Sequence, residues 1–395
     1  MKNRKAINKS GFQTANVVIV AMSHLVHDIF SAFLSPLLPL LIKKFSLSYS
    51  QASMMSMLQN LPALINPFIG AIADRVKMRY FVILMPSVTA ITMSLLGVAP
   101  SYTILLILAG TMGLSSALYH IPTPVMMKKV SGSRLGMGMS FYMAGGEIAR
   151  MLGPLLITSA VSLWTLEGSW KVLPLGLLAS FVMYFRLKDI PVSADISRDK
   201  GDSQIWKELK PHLLFFIGLT GYITSRGLMS FSLTAFLPAY LDAKGYSIWL
   251  CSAALSILQA GSIAGTLLTG SISDKIGRKT TLLIIAIVSP LLMFLFIRTS
   301  SFEWMVVLLL ITGFFHFSPQ PVLLAFVQDI PTSRPAFLNS IYMTITFGIS
   351  SLSVALVGLL MDRAGLDNAY FISAIIALAG IPFILMIKPS KKQGQ

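Results

Sequence analysis

Ionisable side chains stand in the interiors of long apolar runs. His24, His27 and Asp28 fall in the run at 17–42 and His120 in the run at 102–127. Glu147 and Arg150 fall in 137–163, Arg226 in 212–241 and His316 in 303–327. Such a group in hydrocarbon costs roughly 2.5–3.5 kcal/mol on insertion scales, so each needs a partner or a task. His24 and Asp28 are four residues apart and share one helical face, as do Glu147 and Arg150, three apart. A carboxyl desolvated among apolar walls favours its neutral form and can carry a proton, and an imidazole beside it can relay that proton. Asp28 has no Lys or Arg one helical turn away. It is the first candidate for a proton carrier, with His24 as its relay. Glu147 is the rival, although Arg150 would hold it ionised. A guanidinium does not release its proton, so Arg150 and Arg226 suit binding of an anionic or polar group. His120, His316, Gln59 and Gln259 complete the candidate substrate contacts.

Each group also has a structural reading. Glu147 and Arg150 can be an ion pair within one helix. His120 and His316 can serve helix ends broken by Pro122 and Pro124 or by Pro319 and Pro321, where backbone carbonyls are freed. Gln59, Gln259 and Asn66 can be hydrogen bonds between helices. The 22 methionines can be adaptable apolar lining. Imidazole and carboxylate at His24, His27 and Asp28, joined by His120 or His316, could take a divalent metal as cargo. Two arginines in the same cavity would oppose it, and no resident metal or other cofactor is expected.

The elements that carry these groups are membrane spans. Of the 395 residues, 55% are apolar and 12% charged, and the mean hydropathy is +0.76. Soluble domains carry about 25% charge, so this chain cannot cover a soluble surface. Apolar runs of about 20 residues, each enough for one crossing, predict twelve spans. They lie at 17–42, 51–73, 80–99, 102–127, 137–163, 170–187, 212–241, 249–272, 280–298, 303–327, 336–360 and 368–387. The first is too long for a cleaved signal peptide, and it contains His24, His27 and Asp28. The expected architecture is an all-α polytopic membrane protein. Asp28, Glu147, Arg150, Arg226 and His316 then lie roughly 15–21 Å deep in a ~30 Å core. Arg150 and Arg226, from opposite halves, are expected to face one cavity.

Lys and Arg set the orientation. They crowd the N-terminal segment, the tail and the connections after spans 2, 4, 6, 8 and 10, which places both termini in the cytoplasm. Trp164, Trp170, Trp249 and Trp304 mark the opposite ends of spans. The net charge of +16 is therefore topological. No basic and aromatic stripe for nucleic acid is present. The single cysteine, Cys251, excludes a disulfide framework and any cysteine metal motif. The polar stretch 188–211, with Ile205, Trp206 and Leu209 as an amphipathic piece, reads as a cytoplasmic linker between bundles at 1–187 and 212–395.

The two halves repeat at an offset of about 200 residues. Gly70-Ala-Ile-Ala-Asp74-Arg75 matches Gly270-Ser-Ile-Ser-Asp274-Lys275, and Leu58-Gln59 matches Leu258-Gln259. Ser133-Arg134 matches Ser333-Arg334. Ser140, Tyr142 and Met143 match Ser340, Tyr342 and Met343. Tyr119-His120 before Pro122 and Pro124 matches Phe315-His316 before Pro319 and Pro321. A duplicated six-span unit is the layout of carriers in which two halves rock about a midplane site.

The loop Gly270-x-x-x-Asp274-Lys275-x-Gly277-Arg278-Lys279 resembles the signature of the major facilitator superfamily. The first-half copy keeps Gly70, Asp74, Arg75 and Arg79 but has Lys77 where the pattern has glycine. Within the superfamily the chain is similar to the fosmidomycin-resistance branch of drug:proton antiporters. That likeness rests on Ser23-His24-x-x-x-Asp28, Gly145-Gly146, Gly153-Pro154-Leu155-Leu156, the 274–279 loop, and Gln328-Asp329-x-x-Pro331 with Arg334. Glu147, Arg150 and His120-Ile-Pro122 depart from that branch. The resemblance implies two pseudo-symmetric six-helix bundles, with spans 3, 6, 9 and 12 facing lipid. It implies gating by Gly70, Asp74, Arg75, Gly270, Asp274, Lys275, Gly277 and Arg278. It also implies a monomer in the bacterial inner membrane.

No Walker phosphate loop, nucleophile elbow, zinc-protease helix or dinucleotide fingerprint occurs, so neither ATP-driven work nor catalysis is expected. The expected function is proton-coupled export of a small amphipathic or anionic compound. Uptake of an organic anion, divalent-metal transport and a receptor with the carrier fold are the alternatives.

Overall fold

The computed structural model describes residues 11–65, 79–132, 134–190, 210–331 and 335–387, and within them only helices and turns. The first half contains α1 (Thr14–Ser31), α2 (Leu34–Phe45), α3 (Tyr49–Asn60) and α4 (Arg79–Ser94). It continues with α5 (Tyr102–His120), α6 (Pro122–Ser131), α7 (Leu135–Gly168) and α8 (Leu173–Leu187). The second half contains α9 (Leu213–Thr234), α10 (Leu237–Ala243), α11 (Ile248–Ile276), α12 (Arg278–Arg298) and α13 (Phe302–Phe317). It ends with α14 (Pro319–Gln328), α15 (Pro335–Ala364), α16 (Leu366–Leu378) and α17 (Gly380–Met386).

Ten segments of the described residues are long and apolar enough to cross a bilayer. One, Met137–Leu187, runs for 51 residues. That is about 76 Å of helix, far more than one crossing needs. Its helical geometry breaks at Trp164 and at Thr165, where φ is 64°, so it supplies two crossings. Of the expected span 51–73, only the part within Tyr49–Ile65 is described. Ten segments, one of them doubled, thus account among the described residues for eleven of the twelve expected spans. The expected linker lies mostly outside the described residues, and so do Ile205, Trp206 and Leu209.

Helix starts repeat between the halves. Ser48, Ser101, Ser247 and Ser301 each cap a helix by accepting from the backbone N–H three residues on. Ser48 and Ser247, like Ser101 and Ser301, are separated by the repeat offset. Helix breaks follow proline. Between α1 and α2, Pro36 has no N–H for the Ala32 carbonyl, and the helix interrupts at Ala32–Phe33. Exposed faces of α8 and α12 are apolar: Leu178, Phe181 and Phe185 on α8, and Leu291 and Leu295 on α12, are exposed.

Two compact units emerge, Met1–Leu34 with Ile65–Ser197, and Ser35–Leu64 with Arg198–Gln395. In the first, Val17, Val20 and Ala21 of α1 pack with Val82, Ile83, Tyr119, Met126 and Met127. In the second, Phe216 and Leu219 of α9 pack with Leu282, Val322, Leu323, Phe326 and Tyr342. Residues 35–64 join the second unit through specific bonds. Ser35 Oγ donates to the carbonyls of Thr234 and Ala235. Lys43 Nζ lies 2.8 Å from Asp242 Oδ1. The Asp362 carboxylate accepts from Tyr49 N at 2.7 Å and Ser50 N at 2.8 Å. An acid placed there satisfies free N–H groups at the start of α3 and complements its dipole.

Candidate functional site

In the first unit α1 lies along α7 and meets the end of α5. Pro122 opens α6 and ends α5 at His120, which puts His120 opposite α1. Gly146 on α7 allows the close approach of α1. A Cβ there would stand 2.6 Å from His24 Cε1, 3.0 Å from its Nε2 and 3.3 Å from Asp28 Oδ2. His24, His27 and Asp28 are all buried, and His120 is partly open.

The tautomer of His24 is fixed by its partner. Its Nδ1 is 2.7 Å from the Tyr142 carbonyl oxygen, which can only accept, so Nδ1 carries the hydrogen. In a neutral ring Nε2 then turns a lone pair on Asp28 Oδ2, 3.3 Å away. A carboxylate oxygen offers only lone pairs too, so the two atoms need a cation between them. A proton held jointly by the pair meets that need. The other oxygen, Oδ1, accepts from His27 Nδ1 at 2.8 Å and faces His120 Nε2 at 3.4 Å.

Two tyrosines frame these imidazoles. Tyr142 stacks on His24 with centroids 3.9 Å apart, and its hydroxyl is 3.2 Å from His120 Nδ1. Tyr119 stacks on His27 at 4.3 Å and its hydroxyl meets Ser23 Oγ at 2.5 Å. Among the described residues, His27 Nε2 is buried without a hydrogen-bond partner. Sequence reasoning had both tyrosines as repeat matches and missed them as site residues. The signal was there in Tyr119 beside His120 and in Tyr142 on the glycine-rich run before Gly145.

On α7 the Arg150 guanidinium bonds the Glu147 carboxylate, and the Arg150 side chain is 43% exposed. The pair is local to one helix. In the second unit Arg226 of α9 donates to the backbone carbonyl of His316, just before the break between α13 and α14. His316 is buried, with Nε2 3.0 Å from Ser230 Oγ and Nδ1 without a hydrogen-bond partner among the described residues. His120 and His316 thus occupy matching places, each at a helix end followed by a proline-led helix. Gln259 is buried on α11 and its side-chain oxygen is 3.4 Å from Ser262 Oγ. Gln59 lies near the end of α3 and is partly buried.

The second-half loop forms a network. Gly277, with φ at 94°, ends α11 and turns the chain into α12. Arg278 then reaches back to Asp274 Oδ1 at 2.6 Å and Ser273 Oγ at 2.5 Å, and across to Asp329 Oδ2 at 3.1 Å. Lys279 Nζ donates to the carbonyls of Leu385 and Ile387. Gly270 sits on α11 with open space where a Cβ would be, and Lys275 is exposed. Gly70, Asp74 and Arg75, with Asn66 and Arg334, lie outside the described residues.

The family model described as Major Facilitator Superfamily matches residues 20–353 and 259–395. The chain belongs to that superfamily. It is a multi-pass membrane transporter and not an enzyme. It is 27% identical over 373 residues to the fosmidomycin resistance protein of Escherichia coli (strain K12), covering 93% of this chain and 91% of that one. It is 23% identical over 398 residues to an uncharacterised MFS-type transporter, YfnC, of Bacillus subtilis (strain 168), covering 98% and 96%. A bacterial homologue of the human lysosomal transporter Spinster, in an inward-facing, unoccupied conformation, superposes with a TM-score of 0.73 at 16% identity, covering 95% of each chain. For a superfamily member the 270–279 network falls on the signature loop.

Proposed function

We propose that this transporter exports a small amphipathic or anionic compound in exchange for protons, by alternating access. The observation that carries the reading is the meeting of His24 Nε2 and Asp28 Oδ2, two lone-pair atoms in a buried place that require a shared cation. A proton taken and released there, with His120 partly open beside it, supplies a coupling step. The fosmidomycin resistance named for the Escherichia coli relative supports export and a drug-like substrate. Arg226 is assigned to an anionic or polar group of the substrate, with Arg150, His120, His316, Gln59 and Gln259 as further contacts. Glu147, bonded to Arg150, supports the site rather than carrying the coupling proton.

Gating is assigned to the signature loops. The Asp274–Arg278–Asp329 network ties α11 and α12 to the end of α14. Gly70, Asp74 and Arg75 are assigned the corresponding role. The chain is placed in a bacterial inner membrane as a monomer, with bundles at 1–187 and 212–395 and both termini cytoplasmic. A tag added after Gln395 should stay protected from protease in intact cells, and cleavage from outside would reverse the orientation.

Chelator-treated proteoliposomes with an imposed proton gradient test the function. The panel is fosmidomycin, other phosphonates, organic anions and lipophilic cations. Proton-driven exchange is expected for at least one of them. Co-transport of an organic anion with protons would replace export by uptake, and no response to the gradient would end the proton reading. Arg226 has its own outcome. Lys keeps its charge and loses the planar fork, so Arg226→Lys and Arg226→Gln should both weaken substrate binding at least ~10-fold. Normal transport by both variants would remove Arg226 from the substrate site.

A further inference from the structure

We propose that His24, Asp28 and His120 form a site for one divalent transition-metal ion of the zinc class. One ligand atom from each residue can be chosen so that all three lie within 4.8 Å of one another. The two imidazoles approach different oxygens of one carboxylate at spacings open to a metal as well as to a shared proton. His24 Nε2 is 3.3 Å from Asp28 Oδ2, and His120 Nε2 is 3.4 Å from Asp28 Oδ1. Direct N–H···O bonds centre near about 2.9–3.0 Å. Zinc bonds of about 2.0–2.1 Å directed to a tetrahedron put neighbouring ligand atoms about 3.3–3.4 Å apart.

The surroundings are those of ligands held for a metal. A ligating imidazole ordinarily donates its second N–H to a carbonyl or another acceptor, which aims the free nitrogen. His24 does so to the Tyr142 carbonyl, and His120 Nδ1 stands at the Tyr142 hydroxyl. His27 Nδ1–H steadies Asp28 Oδ1. Because residue 146 is glycine, no side chain fills the space beside His24 Nε2 and Asp28 Oδ2. His120, 36% exposed, gives an entry path. One carboxylate and two neutral imidazoles carry a single negative charge. In this unit the Arg150 charge is matched by Glu147. Two histidines and a carboxylate leave a fourth position open, a donor set that zinc accepts. An ion there ties α1 to the end of α5 and occupies the carboxylate, so it inhibits transport. The inhibition, unlike the binding, rests on the role given to Asp28 above.

The test uses the purified, tag-free full chain stripped with chelator and titrated with Co²⁺. The expected result is the visible absorption of four-coordinate Co²⁺ at one ion per chain, bleached by Zn²⁺, with a rise in Tm. His24→Gln, Asp28→Asn and His120→Gln should each weaken binding at least ~100-fold. His212→Gln, at a histidine remote in sequence and just before α9, should leave it unchanged. His120 sits partly exposed at a helix end, so its variant stays readable if the buried ones fail to fold. No stoichiometric binding, or binding that survives His120→Gln, would overturn the site. Saturating Zn²⁺ should lower transport at least tenfold, and stoichiometric binding with full transport would overturn the inhibition alone.

Discussion

Asp28→Asn is expected to abolish proton-driven transport while substrate binding remains measurable. The amide keeps the size and shape of the acid but cannot take up and release the proton. The surroundings tolerate it. Its nitrogen can donate to the His24 Nε2 lone pair, and its oxygen can still accept from His27 Nδ1, which now stands 2.8 Å from Oδ1. A loss of at least ~100-fold in gradient-driven rate is expected, in the range that a positioned acid–base group supplies. Linkage explains the coupling, since proton and substrate lower each other's affinity by the same factor when they compete. Glu147→Gln should act differently. It leaves the Arg150 charge unmatched, so it should alter affinity or folding and retain the response to the gradient. Paired flux and equilibrium-binding measurements in proteoliposomes decide. If Asp28→Asn keeps its drive and Glu147→Gln loses it, the two roles exchange.

Gly313→Ala is expected to be the most damaging small substitution in the second unit. Gly313 lies on α13 where that helix crosses α11, and a Cβ there would stand 1.9 Å from the backbone oxygen of Leu258. In the reverse direction, a Cβ added to Gly261 on α11 would stand 2.0 Å from the Leu310 carbonyl oxygen. Backbone atoms cannot rotate aside as a side chain would, so the helices must separate. Inside a bilayer such pairs are held by close packing, and separation gives up that packing directly. Overpacking of this kind costs about 1–3 kcal/mol or more. Thermal unfolding followed by size-exclusion chromatography should show a clear fall in Tm. Gly110→Ala is the contrast: it is also helical, has nothing within 4 Å, and should hold or raise Tm because alanine favours the helix. Equal behaviour of the two variants would refute the packing argument.

The local statements in this chain are legible without its fold. Apolar runs are long because each crossing must satisfy its own backbone bonds in hydrocarbon, so twelve spans could be counted directly. The 270–279 loop and the isolation of Asp28 from any Lys or Arg in its own helix are likewise properties of neighbours in sequence, and the repeat is legible by comparing the sequence with itself. Glu147 and Arg150 fall in the same class, since three residues of helix suffice to bring them together. The doubled span at 137–187 was read correctly for a related reason. The helical geometry breaks at Trp164 and Thr165, at the end of the run 137–163.

Long-range partners could not be read in the same way. His24 and Tyr142 are 118 residues apart, and nothing in either local pattern states that a carbonyl on α7 fixes the tautomer of a ring on α1. Helical period told which residues share a face of one helix, but not which other helix that face meets. For that reason His120 could be named as a polar group without its distance to Asp28, and Arg226 without its bond to the His316 carbonyl. The bonds from Asp362 to the start of α3 had no local signal at all, because their partners lie more than 300 residues apart. The composition and periodicity of this chain determined that it is a multi-pass membrane protein, with twelve spans expected in two related halves. Only the packing of helices decided which acid stands among imidazoles, since that depends on where glycine lets two backbones approach and on where proline ends a helix.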